Sequence, residues 1–339
     1  MIMMRAWSYE SFGMDNLRLA GRRSPRPGPG EILLAPRALS LNYRDLLLIK
    51  GIYNPRLKLP ATPVGDGAGI VTDVGEGVVG LSPGDEVVTH AVTGWIDGDC
   101  RPGLHLQDPV ASAGRGLAAE QAAWPAEALL PIPDGWSFAD AASLPVAAVT
   151  AWSALVTEGR LRAGQTVLTL GTGGVSIFAA QIAKALGARV IVTSSQDDKL
   201  ARARELGADF TINYRRDPDW DRRVLEFTNG HGVHITVETG GAGTLVRSLN
   251  ATRSGGTVAL LGTLTGLRRE IDMQPLVVKR LRLTGIYVGS RKEFEALCRF
   301  LAEHPLRPAI DRRFAFGELS DALRYLESAR HVGKVVIEM

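Results

Sequence analysis

From Thr166 to Val288 the chain alternates apolar runs of four to eight residues with amphipathic or turn-rich stretches, and this limits the fold more than any other feature. The runs are TVLTL, RVIVT, DFTI, VHITVE, TVALL and LRLTGIYV, and each gap is long enough for a crossover. Six strands in this order predict a doubly wound parallel sheet, complete by about Val288.

Where the first of these strands ends, the sequence reads Gly171-Thr172-Gly173-Gly174-Val175-Ser176 and passes into a helical pattern with apolar residues at Val175, Phe178, Ile182 and Leu186. Those intervals of three and four residues set one apolar stripe against the sheet. Gly171 suits a tight turn, and Gly173 lets a pyrophosphate come close to the backbone at the positive end of the helix. Ser176 stands where a third glycine is usual. With a strand before it and a helix and second strand after it, this turn is a dinucleotide-binding fingerprint.

An acidic residue commonly ends the second strand of an NAD site, where it binds the ribose hydroxyls and repels a 2′-phosphate. This chain has Ser194-Ser195 there, with Lys199 following. Hydroxyl donors and a cation suit that phosphate, so the expected cofactor is NADPH, although Asp197 or Asp198 turned inward would oppose it. Tyr214 is read either as a partner of the adenine side or phosphate, or as a surface aromatic.

Before this region, EILLAPRAL, AGIVTDV and DEVVTH are short strands separated by turn signals, and they read as a β-barrel-like domain. Residues 93–123 show no period and read as a long surface excursion, while helical spacing returns from Asp140 to Leu155. After Arg291 come two helical segments and a closing strand, GKVVIEM, expected to pack back on the N-terminal domain. The expected division is 1–125, completed by 290–339, and 126–289.

Composition excludes several function classes. With 39 basic and 36 acidic residues, the net charge of +3 offers no field for nucleic acid or a membrane surface. The arginines at 202, 204, 215, 216, 222 and 223 sit among acids and read as solvated helix faces. No long apolar run follows Arg5, so neither a signal peptide nor an anchor is expected, and the expected compartment is the cytoplasm. Two cysteines, Cys100 and Cys298, fit neither a disulfide framework nor a zinc knot.

Taken together, LNYRDLLLIKG, PVGDGAGIVTDVGEGVVGLSPGDEVV, SLPVAAVTAWSAL and VLTLGTGGVSIFAAQIAKALGARV resemble the medium-chain dehydrogenase/reductase superfamily over nearly the whole chain. The resemblance implies an α/β protein: a GroES-like β-barrel catalytic domain plus a Rossmann doubly wound parallel six-stranded sheet. Zinc alcohol dehydrogenases of that superfamily carry cysteine, histidine with glutamate, and a cysteine or acid where this chain has Asn42, Asp66 with Gly67, and Val146. That set lacks the thiolate and imidazole donors zinc prefers, so no metal is expected.

Without a Lewis acid, the resemblance implies a quinone or enone reductase passing a hydride to a small electrophilic substrate in a cleft between the domains. A delocalised enolate needs only hydrogen-bond donors. Tyr53 and Asn42 match active-site positions, with loop packing and backbone capping as their alternatives. Thr150 matches a threonine beside the nicotinamide, Gly262 a close backbone approach to the nicotinamide half, and Lys334 a pyrophosphate contact.

Arg44 and Asp45 read as a neighbouring salt bridge. Asp66 reads three ways: a buried acid with a raised pKa, a proton relay, or a turn residue. The exposed edge strand LRLTGIYVGS implies a homodimer. Two rival activities stay open, an alcohol dehydrogenase acting on aldehydes or ketones and a non-catalytic NADPH-binding protein.

Overall fold

The structure, a computed structural model, describes residues 3–304 and 306–339. Two compact units emerge: one ends at Ala147 and takes in the tail from Ser290, and the other is Ala148–Gly289. The division therefore falls later than the expected boundary after Pro125, because residues 126–147 pack with the first unit.

The first unit opens with an antiparallel hairpin, β1 (Met3–Tyr9) and β2 (Leu17–Arg23). It continues through β3 (Glu31–Ser40), α1 (Tyr43–Ile49), β4 (Gly67–Val74) and β5 (Glu86–Thr89). Next come α2 (Pro109–Ala113), β6 (Ala122–Pro125), β7 (Leu129–Pro131) and α3 (Phe138–Ala142), the last packed on β3 and β4. The excursion is not a surface loop. Leu117, Ala118 and Ala119 are buried, Trp7 N donates to Ala118 O, and β6 pairs with β3. Small residues pack a backbone closely without any visible period, which is why the sequence hid this segment.

The second unit holds the short helix α4 (Val149–Trp152), flanked by π-helical turns, and then the alternation seen in the sequence. Its elements are β8 (Thr166–Leu170), α5 (Gly174–Ala185), β9 (Arg189–Ser194), α6 (Asp197–Glu205), β10 (Phe210–Asn213) and α7 (Trp220–Phe227). There follow β11 (Val233–Glu238), α8 (Leu245–Ala251), β12 (Thr252–Leu260), α9 (Gln274–Val278) and β13 (Arg282–Gly285). The sheet is parallel throughout, in the order β10-β9-β8-β11-β12-β13. Burial of α5 is wider than the expected stripe: Phe178 and Ile182 are buried with Ile177, Ala179, Ala180 and Ala183, whereas Val175 and Leu186 are half-buried.

In the tail, α10 (Arg291–Glu303) precedes β14 (Ile310–Ala315), α11 (Leu319–Glu327) and β15 (Lys334–Glu338). As expected, the closing strand returns to the first unit, where β15 runs antiparallel to β3. The resulting seven-stranded sheet has the order β14-β15-β3-β4-β5-β7, with β6 on the other part of β3. Its core includes Ile32, Leu34, Leu39, Leu46, Leu48 and Trp124. Among the described residues no helix is long and apolar enough to cross a membrane.

Candidate functional site

The candidate residues fall into two sets, one in each unit. In the second unit, β8 ends at Leu170 and the chain turns at Gly171 with φ +77°, a conformation that a side chain would strain. A Cβ placed on Gly173 would project into open space, so the cradle before α5 has room for a ligand. The leading N–H groups of a twelve-residue helix have no carbonyl partners of their own and carry the positive end of its dipole. This combination fits a pyrophosphate.

Ser176 earns its place by a hydrogen bond. Its hydroxyl donates to Leu170 O at 2.6 Å, and Thr239 Oγ1 donates to the same carbonyl at 2.9 Å, pinning strand to helix where a glycine would only pack.

The remaining cofactor candidates of this unit gather partly at the same edge. Gly171 N reaches Thr193 Oγ1 at 3.4 Å, Ser194 pairs across the sheet with Asn213, and Tyr214 N donates to Ser194 O. Thr172 and Ser194 are buried, Ser195 is half-buried, and Tyr214 is exposed. Lys199 is different. It is 6% exposed and already engaged within the fold.

The Asp197 carboxylate takes Asn213 Nδ2 at 2.8 Å and Arg216, and these partners hold its pKa below the usual carboxylate range. Arg215, read from the sequence as one of several solvated arginines, is exposed beside Tyr214. Thr150 is buried in α4. Gly262 is explained by the protein itself, since a Cβ there would strike the carbonyl oxygen of Thr239.

In the first unit, Asn42, Asp66 and Val146 meet as their positions in the sequence implied. Asp66 is 0% exposed, and its Oδ2 accepts from Asn42 Nδ2 at 2.8 Å and Val146 N at 3.1 Å. Its Oδ1 is buried and finds no hydrogen-bond partner among the described residues. Asn42 Oδ1 accepts from Lys334 Nζ at 2.6 Å, and the same ammonium donates to Leu41 O at 2.8 Å. The Asn42 amide is thus oriented from both ends, by an ammonium at its oxygen and a carboxylate at its nitrogen. Asn42 and Asp45 also form a reciprocal capping box at the start of α1, in which Asp45 Oδ2 accepts from Asn42 N at 2.8 Å.

One expectation is corrected by this cluster. Lys334, for its part, is 2% exposed and donates to Leu41 and Asn42. Arg44 does not pair with its neighbour Asp45. It forms an ion pair with Asp108 at 2.5 Å, and Asp108 also caps α2 through Val110 N and Ala111 N. Adjacent helical residues point about 100° apart, so Arg44 and Asp45 face different partners.

Burial governs the electrostatics here. Desolvation pushes the Asp45 carboxyl up to about 7, against the pull of the Arg44 cation and the Asn42 N–H. Desolvation also raises Asp66, against Lys334 and Arg44, and lowers Lys334, against Asp66 and Asp45. Tyr53, by contrast, is exposed in the turn after α1, where its N–H donates to Leu47 O. The donor set does not fit zinc. Asn42 Oδ1 already holds an ammonium, Val146 offers only an N–H, and no group of three His, Cys, Asp or Glu side chains converges among the described residues.

Residues 28–134 match the alcohol dehydrogenase GroES-like domain and residues 174–303 the zinc-binding dehydrogenase domain. A zinc-type alcohol dehydrogenase-like protein of Schizosaccharomyces pombe is 39% identical over 337 residues, 97% of each chain. An acryloyl-coenzyme A reductase of Metallosphaera sedula is 28% identical over 323 residues, 93% of this chain and 94% of its own.

Among solved structures, a Sinorhizobium meliloti chain named as an alcohol dehydrogenase superposes with a TM-score of 0.92 at 39% identity, over 100% of both chains. An NAD-dependent alcohol dehydrogenase gives 0.90 at 34%, over 99% of this chain and 100% of its own. A mycobacterial protein complexed with NADPH gives 0.83 at 29%, with the same coverage. With both domain families matched in order and relatives aligned end to end, the chain belongs to the medium-chain dehydrogenase/reductase superfamily and is one of its oxidoreductases.

Proposed function

We propose that the chain is a zinc-independent, NADPH-linked reductase of activated C=C bonds or quinones. The observation that carries this reading is the Lys334–Asn42–Asp66 chain of hydrogen bonds, which puts a protein cation and an oriented amide where metal-dependent relatives assemble a metal shell. A bound nicotinamide would supply the hydride, and Gly171, Thr172, Gly173, Gly174 and Val175 would hold its pyrophosphate. Ser194, Ser195 and Tyr214, joined by Arg215, would meet the 2′-phosphate. Asn42 keeps an N–H beyond the one given to Asp66, and we assign it to the substrate carbonyl. Tyr53, with its exposed phenol, is assigned proton delivery.

The name of the Metallosphaera sedula relative, a reductase of an α,β-unsaturated thioester, favours the same chemistry. We also assign a homodimer, on the exposed apolar side chains of the segment between β12 and edge strand β13, where Leu267 is 82% and Val277 73% exposed. L267E with V277E should convert the dimer to a monomer in size-exclusion chromatography with light scattering.

The decisive experiment is NADPH and NADH oxidation with a panel of enones, quinones and aldehydes, with and without a zinc chelator, in the parent protein and N42A. The expected result is chelator-resistant oxidation of NADPH by enones or quinones, reduced about 10²- to 10³-fold in N42A, the usual cost of one lost oxyanion donor. Turnover confined to aldehydes, abolished by the chelator, or supported better by NADH would refute the reading and favour an alcohol dehydrogenase.

A further inference from the structure

At the end of the Rossmann sheet opposite the glycine turn lies a cavity of about 500 Å³, within the usual range of small-ligand pockets. The separation is a property of the strands. β8 begins at Thr166 in this cavity and ends four residues later at Leu170, just before the turn, roughly 13 Å away at about 3.3 Å per residue. Four adjacent strands each contribute a residue from their first two positions: Arg189 of β9, Thr166 of β8, His234 of β11 and Arg253 of β12. No carboxylate is among the described lining residues.

Three of the four present a donor or a positive charge to the cavity. Thr166 is 1% exposed with its hydroxyl buried, so it forms part of the cavity wall. His234 Nδ1 lies 3.1 Å from Thr166 N, which can only donate. Nδ1 is therefore unprotonated, and the ring proton sits on Nε2. Burial and the Arg253 and Arg189 charges hold His234 below its ordinary pKa. The Arg189 guanidinium lies 5.9 Å from the centre of the Phe227 ring, which supports it from one face.

We propose that this end of the sheet is a second ligand site, for a dianionic phosphate group carried on a small organic body. Two guanidiniums balance the two charges, while the His234 Nε2–H supplies a neutral donor. The space exceeds what free phosphate fills.

The test follows the imidazole NMR signals of His234, assigned with H234Q, while the full-length protein is titrated with phenyl phosphate and, separately, inorganic phosphate. Three proteins are compared: the parent, R189Q/R253Q and G173V. Both arginines are exposed, so their replacement leaves the fold intact. The expected result is a saturable shift of His234 with phenyl phosphate, at least about tenfold weaker in the double arginine variant and unchanged in G173V. Tighter binding of inorganic phosphate would assign the site to the free ion and overturn the organic body. A static His234 signal, equal binding by the double variant, or loss of binding in G173V would overturn the site itself.

Discussion

Replacement of Asp45 by asparagine isolates the cost of keeping one buried carboxyl. Asp45 is 1% exposed, and desolvation pushes its carboxyl up to about 7 despite the Arg44 cation. In the unfolded chain the group ionises near pH 4, so the fold binds its proton more tightly by about 3 pKa units. The sign follows from that inequality. Stability gained from the protonated carboxyl is fully present below about pH 4 and is lost as pH rises through about 7. At about 1.4 kcal/mol per unit, the full loss is about 4 kcal/mol, of which about 3 kcal/mol accrues between pH 5 and 8.

An asparagine has no such proton, yet its Oδ1 can still accept from Asn42 N. Urea unfolding of the parent and D45N at pH 5 and pH 8 gives four free energies, and contributions common to both proteins cancel in their double difference. D45N should gain about 3 kcal/mol on the parent between the two pH values. A gain below about 1 kcal/mol, less than one pKa unit, would show that Arg44 and Lys334 keep Asp45 ionised throughout, and the argument would be wrong.

Three other substitutions probe the remaining contacts. G173V fills the open cradle before α5 and should weaken cofactor binding at least about 100-fold, about 2.7 kcal/mol, in a fluorescence titration, with an unchanged circular dichroism spectrum. R44M leaves Asp108 buried without its cation and should cost about 3–5 kcal/mol in urea unfolding, although Asp108 still caps α2. S176A removes one of two donors to Leu170 O, and should cost about 1 kcal/mol in the same measurement with cofactor affinity unchanged.

The Rossmann half was the most legible part of the sequence because central parallel strands are buried on both faces and read as continuous apolar runs, as in VHITVE and RVIVT. Strand β14, IDRRFA, went unread: most of its side chains are exposed, and three consecutive polar residues mask the alternation. Ser194-Ser195 was legible as the absence of an acid, but the burial of Lys199 was not, since helix register alone does not decide how far a long side chain is covered. The Lys334–Asn42 contact joins residues 292 apart in sequence. GKVVIEM announces a buried strand, while the direction of its first side chain depends on where β15 docks against β3.

Charge counting links that contact to the pH prediction. The cluster in the first unit contains three carboxylates, Asp45, Asp66 and Asp108, against two cations, Arg44 and Lys334. Fully ionised, it would carry one uncompensated negative charge in a buried setting, which is costly unless a proton neutralises it. Asp108 has its guanidinium at 2.5 Å, and Asp66 has two donors on one oxygen. Asp45 has a single backbone donor, the fewest of the three, so the compensating proton belongs there. A proton held on Asp45 leaves Lys334 balanced by Asp66 alone, with Asn42 bonded to both. Substitutions at Asp45 should therefore change stability and its pH dependence while leaving the orientation of the Asn42 amide intact, whereas K334M should free that amide and reduce turnover at every pH.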